Sequence, residues 1–202
     1  MKTLLAMLLV MTALPSSAAI VKATVTDADG KPVADAVVFA PEAKDAVAPS
    51  TEPFAMDQVN KEFVPHVLPI QAGSKVRFPN KDDIHHEIYS FSPAKTFEQP
   101  LYKGEPAAPL TFDKEGIVKL GCNIHDWMSG IILVLPNQHF AKTGADGKAE
   151  LEVPEGAALE VFHERLKGSV DDTKKTPEKG TAAWSLPLKP EKKKKRVELG
   201  YQ

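Results

Sequence analysis

An all-β protein is predicted by three features of the 202-residue sequence. Seventeen prolines punctuate it, short runs rich in Val, Ile and Phe recur, and no apolar pattern of helical period is sustained between Phe54 and Leu135. Proline interrupts helices, and brief β-branched runs bounded by Pro, Gly, Asn or Asp read as strands. An antiparallel sandwich is the expected arrangement, and the length suits one large domain or two small ones.

The N-terminus reads as a cleaved export leader over residues 1–19. Lys2 precedes an apolar run from Leu4 to Leu14, and Pro15-Ser16-Ser17-Ala18-Ala19 supplies small residues for cleavage. The run is too short to cross a bilayer as a helix, which takes about 20 apolar residues. No cysteine follows it, so no lipid anchor is expected. The mature chain then starts near Ile20, and a bacterial periplasm is the predicted compartment. With 25 basic and 27 acidic residues the formal charge is −2, which gives no general attraction for nucleic acid or an anionic membrane.

Three zones follow. In the first, Ile20–Thr26 alternates, Asp27-Ala28-Asp29-Gly30 turns, and Ala34–Ala40 is apolar and strand-prone; Pro41–Pro53 reads as a linker. In the second, strands are predicted at Val67–Ile70, Lys75–Phe78, His86–Phe91, Ile117–Gly121 and Ile131–Leu135. In the third, Thr143–Lys148 is a turn, Ala149–Val153 and Leu159–Phe162 alternate, and a basic run, Lys189–Arg196, precedes a last alternating piece, Val197–Tyr201. A solvated loop or strand edge accounts for the basic run.

The chemistry concentrates in Gly121-Cys122-Asn123-Ile124-His125-Asp126-Trp127-Met128. A single cysteine forms no internal disulfide, and a free thiol in an oxidising compartment needs something to occupy it. Thiolate, imidazole and thioether, three residues apart in turn, sit on one loop between two strands, where they can converge on one point. A soft cysteine with two histidines and a weak axial methionine is the composition of an electron-transfer copper site, whereas methionine is a poor zinc ligand. His85-His86 supplies the further histidine. The mature chain has only two methionines, and Met56 reads as core. His66 reads as a surface residue, and His139 and His163 as structural. No phosphate-cradling glycine loop, HExxH or serine elbow is present.

Two resemblances refine this reading. Val25-Thr26-Asp27-Ala28-Asp29-Gly30-Lys31-Pro32-Val33-Ala34-Asp35-Ala36-Val37, with Thr143-Gly144-Ala145-Asp146-Gly147 and Val153-Pro154-Glu155-Gly156, resembles the transthyretin-like or carboxypeptidase-regulatory-like sandwich. The middle zone resembles a cupredoxin through Phe63, Pro65, Gly73, Phe78, Asn80, His86, Gly116, Cys122, His125 and Met128, with the short ligand loop of amicyanin-like members. Leu120–Met128 with Tyr89–Pro93 is similar to bacterial proteins labelled methylamine-utilisation proteins.

The resemblance implies a cupredoxin Greek-key sandwich over 54–136, inserted into or joined to a second small β-sandwich built from 20–53 plus 137–202. It implies one copper ion, with His86, Cys122 and His125 in the trigonal plane and Met128 axial. His86 is preferred to His85 because it lies six residues after Asn80 and two before Ile88. It further implies a one-electron carrier, not an enzyme, cycling between Cu(I) and Cu(II) and docking transiently with periplasmic redox proteins; copper delivery without a redox role is the alternative. Two positions depart from the family pattern. Ile124 replaces a proline and leaves an extra N–H near the sulfur, and Glu87 replaces Asn or Ser. A carboxylate aimed inward would lower the potential or ligate copper, but adjacent strand residues face opposite sides. Trp127 is expected to pack over the site or to form a docking patch.

Overall fold

A computed structural model describes residues 17–43, 47–105 and 108–191. The leader predicted over 1–19 therefore lies outside the described residues except at its end, and so do most of the Lys189–Arg196 run and all of Val197–Tyr201. The described residues form sixteen strands and one short 3-10 turn, Asp171–Thr173, so the chain is all-β. None of the described helical segments is long and apolar enough to cross a membrane.

Strands from the two ends of the chain pair with one another. β1 (Ala18–Asp27) lies between β14 (Lys148–Pro154), antiparallel, and β16 (Thr181–Leu186), parallel. β2 (Val37–Phe39) lies between β13 (Phe140–Lys142) and β15 (Glu160–Phe162), antiparallel to both. Period-two patterning drives this pairing. In β14 Ala149, Leu151 and Val153 turn inward while Lys148, Glu150 and Glu152 face water. Val21, Val25, Val38, Leu151, Val161 and Trp184 belong to their shared core.

The intervening chain builds a separate set of sheets. The larger has the order β6 (Val67–Gln71), β12 (Ser129–Leu135), β11 (Gly116–Gly121), β8 (His86–Ser92), β9 (Lys95–Tyr102). A second comprises β10 (Leu110–Phe112), β7 (Ser74–Arg77) and β3 (Phe54–Ala55), and β4 (Asp57–Val59) with β5 (Glu62–Val64) makes a hairpin. Met56, Phe63, Phe78, Ile88, Phe112, Val118, Leu120 and Ile132 fill the core among them. Not every pairing is antiparallel, as had been expected: β6–β12 and β3–β7 run parallel. Strands far apart in sequence are freed from the hairpin constraint, and five strands separate β6 from β12.

β12 joins the two halves. Its residues from Gly130 to Leu135 are all buried, because Ile132 and Val134 face the core just described while Ile131, Leu133 and Leu135 meet Val37, Phe39 and Phe162 of the other sheets. A strand covered on both faces reads as a continuous apolar run.

Candidate metal centre

The three candidate ligands come from the start of β8 and from the loop that follows β11. β8 opens on His86, and its alternation buries His86, Ile88 and Ser90 while Glu87, Tyr89 and Phe91 face outward. β11 ends at Gly121, opposite Tyr89, and Cys122 follows at once. Two tight turns then carry the chain through His125 to Met128, whose N–H donates to the His125 carbonyl at 2.9 Å.

These side chains converge. Cys122 Sγ lies 3.8 Å from His86 Nδ1 and 3.7 Å from His125 Nδ1. The imidazole centroids are 5.0 Å apart, and the three donor atoms all fall within 4.8 Å of one another. Bonds of ~2.0 Å to nitrogen and ~2.3 Å to sulfur at trigonal angles separate such donors by ~3.7 Å, so a first-row ion fits between them. Met128 is buried in the same cluster as Cys122. Among the described residues this is the one group of three or more His, Cys, Asp and Glu side chains close enough to share an ion.

The second nitrogen of His86 faces Asp82, a residue sequence reasoning left in an unremarked turn. His86 Nε2 lies 2.8 Å from Asp82 Oδ2. A carboxylate only accepts, so Nε2 carries the proton and Nδ1 presents a lone pair toward Cys122. Asp82 also accepts from the backbone N–H groups of Asn60 at 2.6 Å and Lys61 at 2.8 Å. Burial raises its pKa, yet those N–H groups and His86 outweigh burial and hold it below the usual carboxylate range. A carboxylate four residues before a candidate ligand was the available signal.

The remaining positions divide clearly. Asn80 stays away from the donor atoms and braces the preceding loop, donating through Nδ2 to the Ile84 and Tyr102 carbonyls and accepting from the Asp82 N–H. Glu87 points outward and accepts from the Asn123 side chain, and it is absent from the donor group. His85 is exposed. Ile124 is 49% exposed on the ligand loop, and the Trp127 ring meets His125 edge-on with centroids 5.3 Å apart. His125 itself retains 9% exposure. Burial lowers its pKa, and the nearby His86 and Lys61 add to the shift.

His66 pairs with Glu164 at 2.9 Å, His139 lies against the Glu152 carbonyl, and His163 accepts from the Arg165 N–H; all three are remote from the cluster in role. Met56 is core, as expected.

Comparison with protein-family models gives no match, and comparison with curated proteins gives none. Several solved structures are similar to part of the chain. A copper-containing nitrite reductase from Thermus scotoductus shares 28% identity over 48% of this chain, at a TM-score of 0.41; the match spans 26% of the reductase. A purple cupredoxin from Nitrosopumilus maritimus shares 25% identity over 40% of this chain and 98% of its own, at 0.36. A reduced Cu(I) form of an amicyanin variant shares 20% over 50% and 98%, at 0.38. The donor set itself, one thiolate and two imidazoles gathered out of water with a thioether in the same core, fits one soft-to-borderline transition-metal ion.

Proposed function

We propose that this chain is a mononuclear copper protein of the cupredoxin kind that carries single electrons. The observation that carries the reading is Cys122 Sγ held 3.7–3.8 Å from two imidazole Nδ1 atoms. Copper would supply the one-electron couple, Cu(II)/Cu(I), and Met128, buried in the same core as Cys122, would add a weak thioether donor. The chain's own residues do the rest. β8 and β11 fix His86 and Cys122 in a paired sheet, and the turn closed by Met128 N–H fixes His125, so the donors change little with oxidation state. Burial of all three donors keeps substrate and bulk water away, which favours a carrier over an enzyme. The slightly open edge of His125, with Ile124 and Trp127 beside it, is the natural point of electron exit toward partners that dock weakly and briefly.

The same reading takes 1–19 as an export leader, a periplasmic redox protein as partner, and 20–53 plus 137–202 as a supporting sandwich around a copper domain at 54–136. Visible and EPR spectra of the purified protein with one equivalent of Cu(II) test it. An intense sulfur-to-copper charge-transfer band, lost in Cys122→Ser, is the expected result. Stoichiometric uptake without that band would favour copper delivery over electron transfer.

A further inference from the structure

We propose that the turn of the β4–β5 hairpin, which contributes no ligand, holds the first histidine of the metal centre in its binding tautomer by gripping Asp82. The assignment of a metal to the centre rests on the reading above; the tautomer claim does not.

The turn has an unusual backbone. Asn60 and Lys61 adopt φ of 55° and 61°, the left-handed region, although neither is glycine. Asn tolerates this region, but Lys61 stands where a two-residue hairpin turn of this kind normally takes glycine. Here the conformation aims two successive N–H groups at one carboxylate, as backbone anion nests do. Asn60 N reaches Asp82 Oδ1 at 2.6 Å, and Lys61 N reaches Oδ2 at 2.8 Å.

The carboxylate is braced from its other side as well. Gln58 N donates to the Pro79 carbonyl and Lys81 N to the Gln58 carbonyl, stitching β4 to the segment that carries Asp82. The Asp82 N–H donates to Asn80 Oδ1, and Asn80 is itself anchored on Ile84, Tyr102 and Gly104. Asp82 thus has little freedom, and its Oδ2 accepts from His86 Nε2 in a fixed direction. With that proton held, only Nδ1 is left to bind, and it faces Cys122.

Asp82→Asn tests the chain of contacts. The amide keeps the shape but has one acceptor oxygen for the three donors that face Asp82, so the hold on His86 Nε2–H weakens and the Nδ1–H tautomer is expected to gain population. Nitrogen-15 NMR of the metal-free protein reads this directly: Nε2–H in the native chain, a shift toward Nδ1–H in Asp82→Asn, and recovery in Asp82→Glu. Copper affinity by chelator competition should fall about 10–100-fold in Asp82→Asn, as for other outer partners of a metal-bound histidine. The double variant Asn60→Gly, Lys61→Gly keeps both N–H groups and removes the Lys61 charge, so tautomer and affinity should both stay as they are.

An unchanged tautomer in Asp82→Asn overturns the proposal, and so does a loss in the glycine variant equal to that in Asp82→Asn, which would assign the effect to the Lys61 side chain. If Asp82→Asn does not fold, the native tautomer and that of Asp82→Glu still decide. A native chain that binds no copper but shows the Nε2–H tautomer would sink the copper reading alone.

Discussion

Gly130 is a single position where the packing beside the site has no slack. A β-carbon there would sit 2.9 Å from Phe63 Cβ and 3.2 Å from two of its ring atoms. Phe63 Cβ is fixed close to the backbone of a buried residue, so it cannot swing aside as a chain end would. Gly130→Ala should therefore cost about 1–3 kcal/mol, the usual price of overpacking, seen as a lower urea midpoint. An unchanged midpoint would mean that β5 yields freely. Glu87 supports a second prediction. Its carboxylate faces away from His86 and accepts from Asn123, so Glu87→Gln should leave the sulfur-to-copper band in place. A displaced band would put the carboxylate on the metal. The gathering of the candidate donors could be read from the sequence because spacing alone brings Cys122, His125 and Met128 onto one loop, and strand alternation separates His86 from its neighbours. Asp82 could not, because its role depends on N–H groups of Asn60 and Lys61, and their direction follows from a left-handed backbone that residue type does not announce.

Strands were recognisable in proportion to how strongly their faces differ. β14 alternates cleanly and was found; β9 was not, because half-exposed residues and a proline blur its pattern. β4 and β5 are three residues each, too short to show a period. β12 was recognised as a strand, but its unbroken apolar run does not say what covers each face. The structure answers this, and a prediction follows. Ile132→Ala and Leu133→Ala lie on opposite faces, yet both should cost about 2–5 kcal/mol in denaturant unfolding. A small loss for Leu133→Ala would mean that its face is open to solvent. Directly after β15, His163 gives this side of the molecule a pH dependence near neutrality. Burial first, then Arg165, lowers its pKa from 6.5, and its Nδ1 accepts from the Arg165 N–H, which protonation would abolish. The unfolded chain therefore binds a proton more readily than the native one. Stability is full above pH 6.5 and falls as pH drops from there through the native pKa, by up to about 1.4 kcal/mol per pH unit. Urea midpoints of metal-free protein between about pH 8 and pH 5 should show this fall, and His163→Asn should make it shallower, leaving the part that the lowered pKa of His125 contributes.

Coupling between the two sets of sheets is the property no single strand displays. The cluster of Val37, Phe39 and Phe162 against Val67, Ile131, Leu133 and Leu135 is dry and apolar, and polar contacts flank it. His66 pairs with Glu164 across it, and Lys142 Nζ donates to the Val67 carbonyl while pairing with Asp35. Burying a side chain such as Phe162 contributes about 1.5–3 kcal/mol, and several together rival the marginal stability of a small domain. Neither set should then unfold without the other, so calorimetry of the metal-free protein should give one transition whose calorimetric and van't Hoff enthalpies agree. Phe162→Ala removes one of the two phenyl rings from one side, at about 3–5 kcal/mol, and should split that transition in two. Metal makes the split assignable. Saturation at about 100 times Kd stabilises whatever binds it by about 2.7 kcal/mol. In the native chain that gain should raise the single transition, because the metal-binding sheets carry the others with them. In Phe162→Ala it should raise only one of the two, the one that also shifts when Ile132 is truncated. Two transitions already present in the native chain would show that the shared cluster is too weak to couple the sheets, and that the centre is held by β8, β11 and their own core alone.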